Sequence, residues 1–417
     1  MKATQSFCSV SKFSIIKIFI LLILTFLITT SCDLTDPKKD KPKPEGYQED
    51  IPWPSLADSP WPMEHHDPQN TGRSKILGPT SGVVQKIIDG VFSNTGIVVD
   101  VDSNIYFACQ YGLKDGLKAY SFSGKLKWKI SFASETLSTP IIGNDGTVYA
   151  LYADTLKAIN RSGTVKWVLP VQALNSGGMS IGKDGTLYFC DSGEHTLYAV
   201  SKYGKLLWTM NDERLMGFNP PTFSPDGNTI YLPGNKISVV AIDIENKNVK
   251  WTFGSIFSGS DFLVDSYGNI YLYSDQYIDN QHKPGIYSLN QNGSVRWYHR
   301  DNKNINYAFT MDVNGNLIYG SDTLHSVNYK GILNWSFPLN GFIGVNSLVC
   351  DVNSNIYVIS AKLFSKGFSL FCIDKSGILK YSVNSPFTEW IADSSPAIAF
   401  NRLIIPTQES NVAYIVK

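Results

Sequence analysis

Six histidines, six cysteines and a set of aspartate-rich turns are the residues of this 417-residue chain that could carry chemistry. His65, His66 and Asp67 stand in a row, as metal ligands might be sought. Three neighbours on an extended chain cannot all turn toward one ion, so a segment packed across a larger body is expected instead. The turns "DVDSN" (100–104), "DVNGN" (312–316) and "DVNSN" (351–355) copy the first half of a calcium loop. Tyr111, Thr323 and Lys362 stand where the closing bidentate acid is needed, so these read as hairpin turns. Cys109, Cys190, Cys350 and Cys372 form no CxxC pair and sit in apolar runs, where a thiol behaves as a small hydrophobe. "SPDGNTIY" (224–231) is similar to the Asp-box of sialidase propellers, but its glycine comes one place early and only one copy occurs. No nucleophile elbow, phosphate loop or haem attachment motif is present. No catalytic residue, metal ligand or cofactor is nominated, and the chain is read as a non-enzyme. The net formal charge is zero, which gives no global field for nucleic acid.

What positions these residues is a repeat. A tyrosine follows a turn in "DSNIY" (Tyr106), "DGTVY" (Tyr149), "DGTLY" (Tyr188), "DGNTIY" (Tyr231), "YGNIY" (Tyr271), "NGNLIY" (Tyr319) and "NSNIY" (Tyr357), at steps of about 38 to 48 residues. "NRLIIP" (401–406) is an eighth, degenerate copy. Each unit reads as four short strands joined by Asp-, Asn- and Gly-rich turns. Four strands repeated radially make a β-propeller, which leaves only short, protected edges.

A tighter spacing lies inside each unit. A small residue precedes an aromatic by nine positions in Ala119/Trp128, Ala158/Trp167, Ala199/Trp208, Ser288/Trp297, Ser326/Trp335 and Cys372/Tyr381; Ala241/Trp251 is longer by one. A glycine stands four before the aromatic at Gly124, Gly163, Gly204, Gly293, Gly331 and Gly377. This pattern resembles the tryptophan-docking motif of the PQQ-type propellers, the repeat of quinoprotein dehydrogenases and of BamB-type envelope lipoproteins. The resemblance spans residues 82–417. It implies that Trp128, Trp167, Trp208, Trp251, Trp297, Trp335 and Tyr381 lie flat against the neighbouring blade, in room made by the small residue and the glycine. The quinone-using members resemble one another in an adjacent Cys–Cys ring, which this chain lacks, so no PQQ is expected.

The expected fold is all-β: an eight-bladed propeller of four-stranded blades. "NVAYIVK" (411–417) looks like a third strand whose fourth is supplied by "SGVVQKIID" (81–89). Seven blades result if the degenerate unit packs differently. Lys2, Lys12 and Lys17 precede the apolar run 18–30, and "TSC" ends on Cys32, which reads as an export signal and resembles the lipobox of bacterial lipoproteins. The expected organisation is a signal peptide over 1–31, a lipidated flexible tether over 32–60, rich in Pro, Lys and Asp, and the propeller over 61–417.

With no residue to carry catalysis, recognition is the expected role: a monomer, lipid-anchored at the bacterial cell envelope through Cys32, binding an envelope protein. Binding of a carbohydrate or small ligand, and an enzyme with a loop-borne site, are the alternatives. The connections between blades are long and carry Glu135, Arg214, Tyr307, Phe387 and Trp390; an insertion over 273–285 carries Tyr277 at its tip. These six are the candidate partner contacts, because exposed aromatics and Arg anchor interfaces.

Overall fold

Apolar runs of three to seven residues, cut by turns that tolerate positive φ, fold here into antiparallel meanders. In the computed structural model, residues 42–89, 95–108, 116–132, 138–172, 177–217, 219–254, 262–278, 281–301, 308–339, 341–362, 366–384, 387, 390–391, 395–408 and 412–417 are described, and no helix occurs among them. The expected signal peptide and Cys32 lie outside the described residues.

Eight sheets form an eight-bladed β-propeller. Blade 1 is Ile97–Val99, Asn104–Ala108, Leu117–Ser121 and Leu126–Ile130, paired in that order. Blades 2 to 7 repeat this plan, starting at Ile141, Met179, Thr222, Phe262, Ala308 and Phe342. First strands of adjacent blades touch around the ring, so they line its centre. First and second strands are buried, whereas a fourth strand such as Leu126–Ile130 is largely exposed. The core is therefore a series of apolar wedges between blades. One such wedge joins Val98, Tyr106 and Ala119 of blade 1 to Ile142, Val148 and Ala150 of blade 2.

The tryptophans sit at these contacts. The small residue of each motif is the cross-strand partner of its own aromatic, as Ala158 is of Trp167 and Ser288 of Trp297. The motif glycine serves a different indole, that of the preceding blade. A Cβ built on Gly163 would lie 2.7 Å from Trp128, one on Gly204 2.7 Å from Trp167, and one on Gly377 2.7 Å from Trp335. The Trp128 indole donates to the Arg161 carbonyl at 2.9 Å, and Trp335 to the Lys375 carbonyl at 3.0 Å. Blade 4 has no glycine here. Its turn residue Lys247 takes φ 53° itself and stands over the Trp208 ring at 5.8 Å.

The turns between first and second strands are closed by side chains. The Asp100 carboxylate accepts from the Asp102 and Asn104 amides at 2.9 and 2.8 Å, from Asn104 Nδ2 at 2.7 Å and from the Tyr106 hydroxyl at 2.8 Å. Burial and the Asp100 charge push the Tyr106 phenol far above its usual range, so it stays a donor. Asp265, Asn269 and Tyr271 repeat the set, as do Asp351, Asn355 and Tyr357.

Blade 8 closes the ring. Ala397–Ala399, Arg402–Gln408 and Val412–Val416 are followed in the sheet by Val84–Asp89, with Tyr414 opposite Ile87. Tyr414 is buried beneath Phe387, whose ring is 4.9 Å away. Tyr414→Ala should cost about 3–5 kcal/mol, read as a fall in the urea midpoint, because its cavity opens at the seam where the ring is tied.

One expected boundary is corrected. Residues 45–60 do not behave as a tether: the compact unit starts at Glu45, and Gln48, Trp53 and Ser55 are buried. The composition is that of a spacer, but the backbone supplies most of the bonds that hold it down, and Trp53 supplies the apolar anchor.

Candidate functional site

The segment 45–79 is a strap laid over the turn-bearing end of the ring. Its side chains are too polar and its prolines too frequent for a strand, so it binds by isolated backbone contacts. Glu45 meets Lys330 at 2.8 Å, and the Gln48 amide donates to the Val313 carbonyl of blade 6. The Trp53 indole donates to the Ile181 carbonyl of blade 3 at 2.8 Å. Ala57 and Pro62 bracket Ile142 of blade 2, and Trp61 exchanges backbone bonds with Val99 of blade 1. The chain then crosses over. Pro68, Gln69, Thr71 and Gly72 accept in turn from Phe223, Val264, Met311 and Cys350, the innermost strands of blades 4, 5, 6 and 7. The Pro79 carbonyl accepts from the hydroxyls of Tyr357 and Tyr381.

The crossing is a tight turn that contains the three residues singled out in sequence. His65, His66 and Asn70 have φ of 52°, 73° and 61°, and the His66 ring packs edge-on to Trp61 with centroids 5.2 Å apart. Asp67 folds the turn. Its Oδ1 accepts from the Gln69 and Thr71 amides, both at 3.1 Å, and its Oδ2 accepts from the Thr71 hydroxyl. Burial pushes the Asp67 carboxyl up, but His66 and Thr71 outweigh it and hold the group below the usual carboxylate range. The row is a packed turn across the propeller, as the sequence suggested.

Between the two passes of the strap, 48–59 and 62–75, lies a cavity of about 650 Å³, completed by Asn144 and Ser266. Sequence reasoning missed it, since no motif marks a space formed by two stretches of the same polar segment.

Each fourth strand ends away from the turn that joins its blade's first strand to its second, so the described inter-blade residues leave the ring at the opposite end. Among the described residues, Arg214, Tyr277 and Trp390 belong to different blades. Arg214 follows blade 3; its guanidinium is exposed and grips Asp212, with Nε–Oδ1 at 2.8 Å and Nη2–Oδ2 at 2.6 Å. Tyr277 lies in blade 5, and the insertion around it is a continuous hairpin, Ile270–Ile278 with Gln281–Leu289, in which Tyr277 pairs with His282. Trp390 belongs to a two-residue strand that pairs with Gln408 at the edge of blade 8. The side chains of Tyr277 and Trp390, and all of Glu135 and Tyr307, lie outside the described residues. Phe387 is not a surface contact. It is 4% exposed and stacks on Phe368 at 4.3 Å, because the seam between blades 7 and 8 needs an apolar filler there.

Eight sheets of this plan, sealed by indoles on glycines, define the class of PQQ-like β-propellers. The family model described as outer membrane protein assembly factor BamB matches residues 154–375, and the chain belongs to that family. No curated protein sequence matches the chain. Among solved structures it is similar to BamB from Moraxella catarrhalis, with a TM-score of 0.60 at 15% identity, covering 81% of this chain and 99% of that one. It is also similar to quinohemoprotein alcohol dehydrogenase from Comamonas testosteroni, with a TM-score of 0.59 at 11% identity over 85% and 80% of the two chains. A europium-containing methanol dehydrogenase gives 0.60 at 10% identity over 87% and 99%. At these identities the structural likenesses speak for the fold.

Proposed function

We propose that this chain is a non-catalytic binding scaffold of the bacterial envelope, held to a membrane through lipid on Cys32 and serving the assembly of outer-membrane proteins by binding an envelope protein. The match of residues 154–375 to the BamB assembly-factor family is the observation that carries the reading. The layout supports it. The strap covers the turn-bearing end, which leaves the opposite end, with Arg214, to meet the partner; Tyr277, Trp390, Glu135 and Tyr307 are proposed as further contacts. The indoles at the blade contacts are engaged within the fold and are not offered to a ligand.

The test is a photo-crosslinking residue placed at position 214 of the full-length chain in living cells. The expected result is one dominant adduct with an envelope protein, lower steady-state levels of outer-membrane barrels when the chain is depleted, and release from the membrane fraction in Cys32→Ser. Crosslinking no stronger than from the strap-covered end, with barrel levels unchanged, would overturn the reading.

A further inference from the structure

The cavity between the two passes of the strap shares no residue with the proposed partner contacts and stands independently of them. Its volume, about 650 Å³, falls in the range of small-ligand clefts. Ile51, Trp53 and Leu56 give it an apolar lining. Two lining groups of opposite charge are left without an ionic partner among the described residues. Arg73 makes one long side-chain bond, 3.4 Å to the Asp312 carbonyl. Asp58 is exposed and makes none. One further lining residue presents a buried polar atom without a hydrogen-bond partner, Ser59 Oγ, whereas His66 Nδ1 faces Asp67 Oδ2 at 3.6 Å. Buried polar atoms in native proteins are nearly always satisfied, so such a group asks for an explanation. The walls are pinned to several blades, which preorganises the site and lowers the entropy lost on binding.

We infer that this cavity binds a short zwitterionic peptide with an apolar side chain. The guanidinium of Arg73 takes the terminal carboxylate, Asp58 takes the terminal ammonium, and the side chain lies on Ile51, Trp53 and Leu56. Ser59 is then the group that meets the backbone of the ligand. A carboxylate suits guanidinium, whose planar fork matches it in two bonds.

Isothermal titration of the full-length protein in detergent with the dipeptide Ala-Leu, its C-terminal amide and its N-acetyl derivative tests this. The expected result is saturable binding of Ala-Leu and about tenfold weaker binding of each blocked form. Arg73→Gln removes the preference for a free carboxylate. Asp58→Asn, at an exposed position where folding is not at risk, removes the preference for a free amine. Equal affinity for all three peptides, or no saturable heat from any, overturns the proposal. So does retention of both preferences in a folded Asp58→Asn protein.

Discussion

Removing residues 45–79 is expected to abolish cooperative folding of the propeller. The strap's backbone bonds reach the first strands of blades 1, 2, 4, 5, 6 and 7. A buried hydrogen bond is worth about 1 kcal/mol net, and leaving its partner unpaired costs about 1–3 kcal/mol. Loss of buried Trp61 and Met63 adds about 1.5–3 kcal/mol each. Together these approach the whole of an ordinary domain's stability, about 5–15 kcal/mol. The check is a urea unfolding curve of residues 80–417 beside the full-length chain. A single steep transition at an unchanged midpoint would show that the strap is a passenger. A milder probe is Gly72→Val. Gly72 has φ +62°, and a Cβ there would come within 3.1 Å of the Leu348 carbonyl and of Thr310 Oγ1.

The second large effect is expected where an indole meets its glycine. Gly331 has φ +80°, and a Cβ there would lie 2.7 Å from Trp297. Gly331→Ala meets two costs: a left-handed backbone that alanine disfavours by about 1–2 kcal/mol, and a clash that lifts the indole from its seat. The lifted ring also loses its bond to the Tyr329 carbonyl, now 3.2 Å. Trp297→Ala should cost about 3 kcal/mol, the lower end for such truncations because the ring is only partly buried. The double variant is the informative one. Once the ring is gone the added methyl has nothing to strike, so the combined loss should fall short of the sum. Additive losses would mean that Gly331 and Trp297 are not in contact.

Trp297 and Gly331 also show why the fold was legible. The same local problem, a flat ring against a bare backbone, is solved in most blades with the same residues, and repetition lifts a weak signal into a readable one. The seam was legible for a related reason: a third strand without a fourth and a fourth without a third must find each other. Trp53 shows the limit. It is one aromatic in a run of prolines and charges, and its burial depends on Ile181 and Phe223, over a hundred residues away. No local pattern encodes such a contact. Phe387 failed for the opposite reason. It stands in a connection that looks irregular, yet the ring that stacks on it, Phe368, belongs to a regular strand. The cavity was invisible because its walls become neighbours only after the strap has doubled back at His65 and His66.

The seam and the strap also fix an order of events. Val84–Asp89 must wait for Val412–Val416, its partner in blade 8. The strap must wait for blades that are synthesised long after it. During synthesis the strap and Val84–Asp89 thus remain an unpaired loose end until the last residues have been made. Contacts of such wide sequence separation are slow to form. During that interval the bare inner strands are open to aggregation or proteolysis, so the yield of intact protein should respond to chaperones and proteases far more than its final stability suggests.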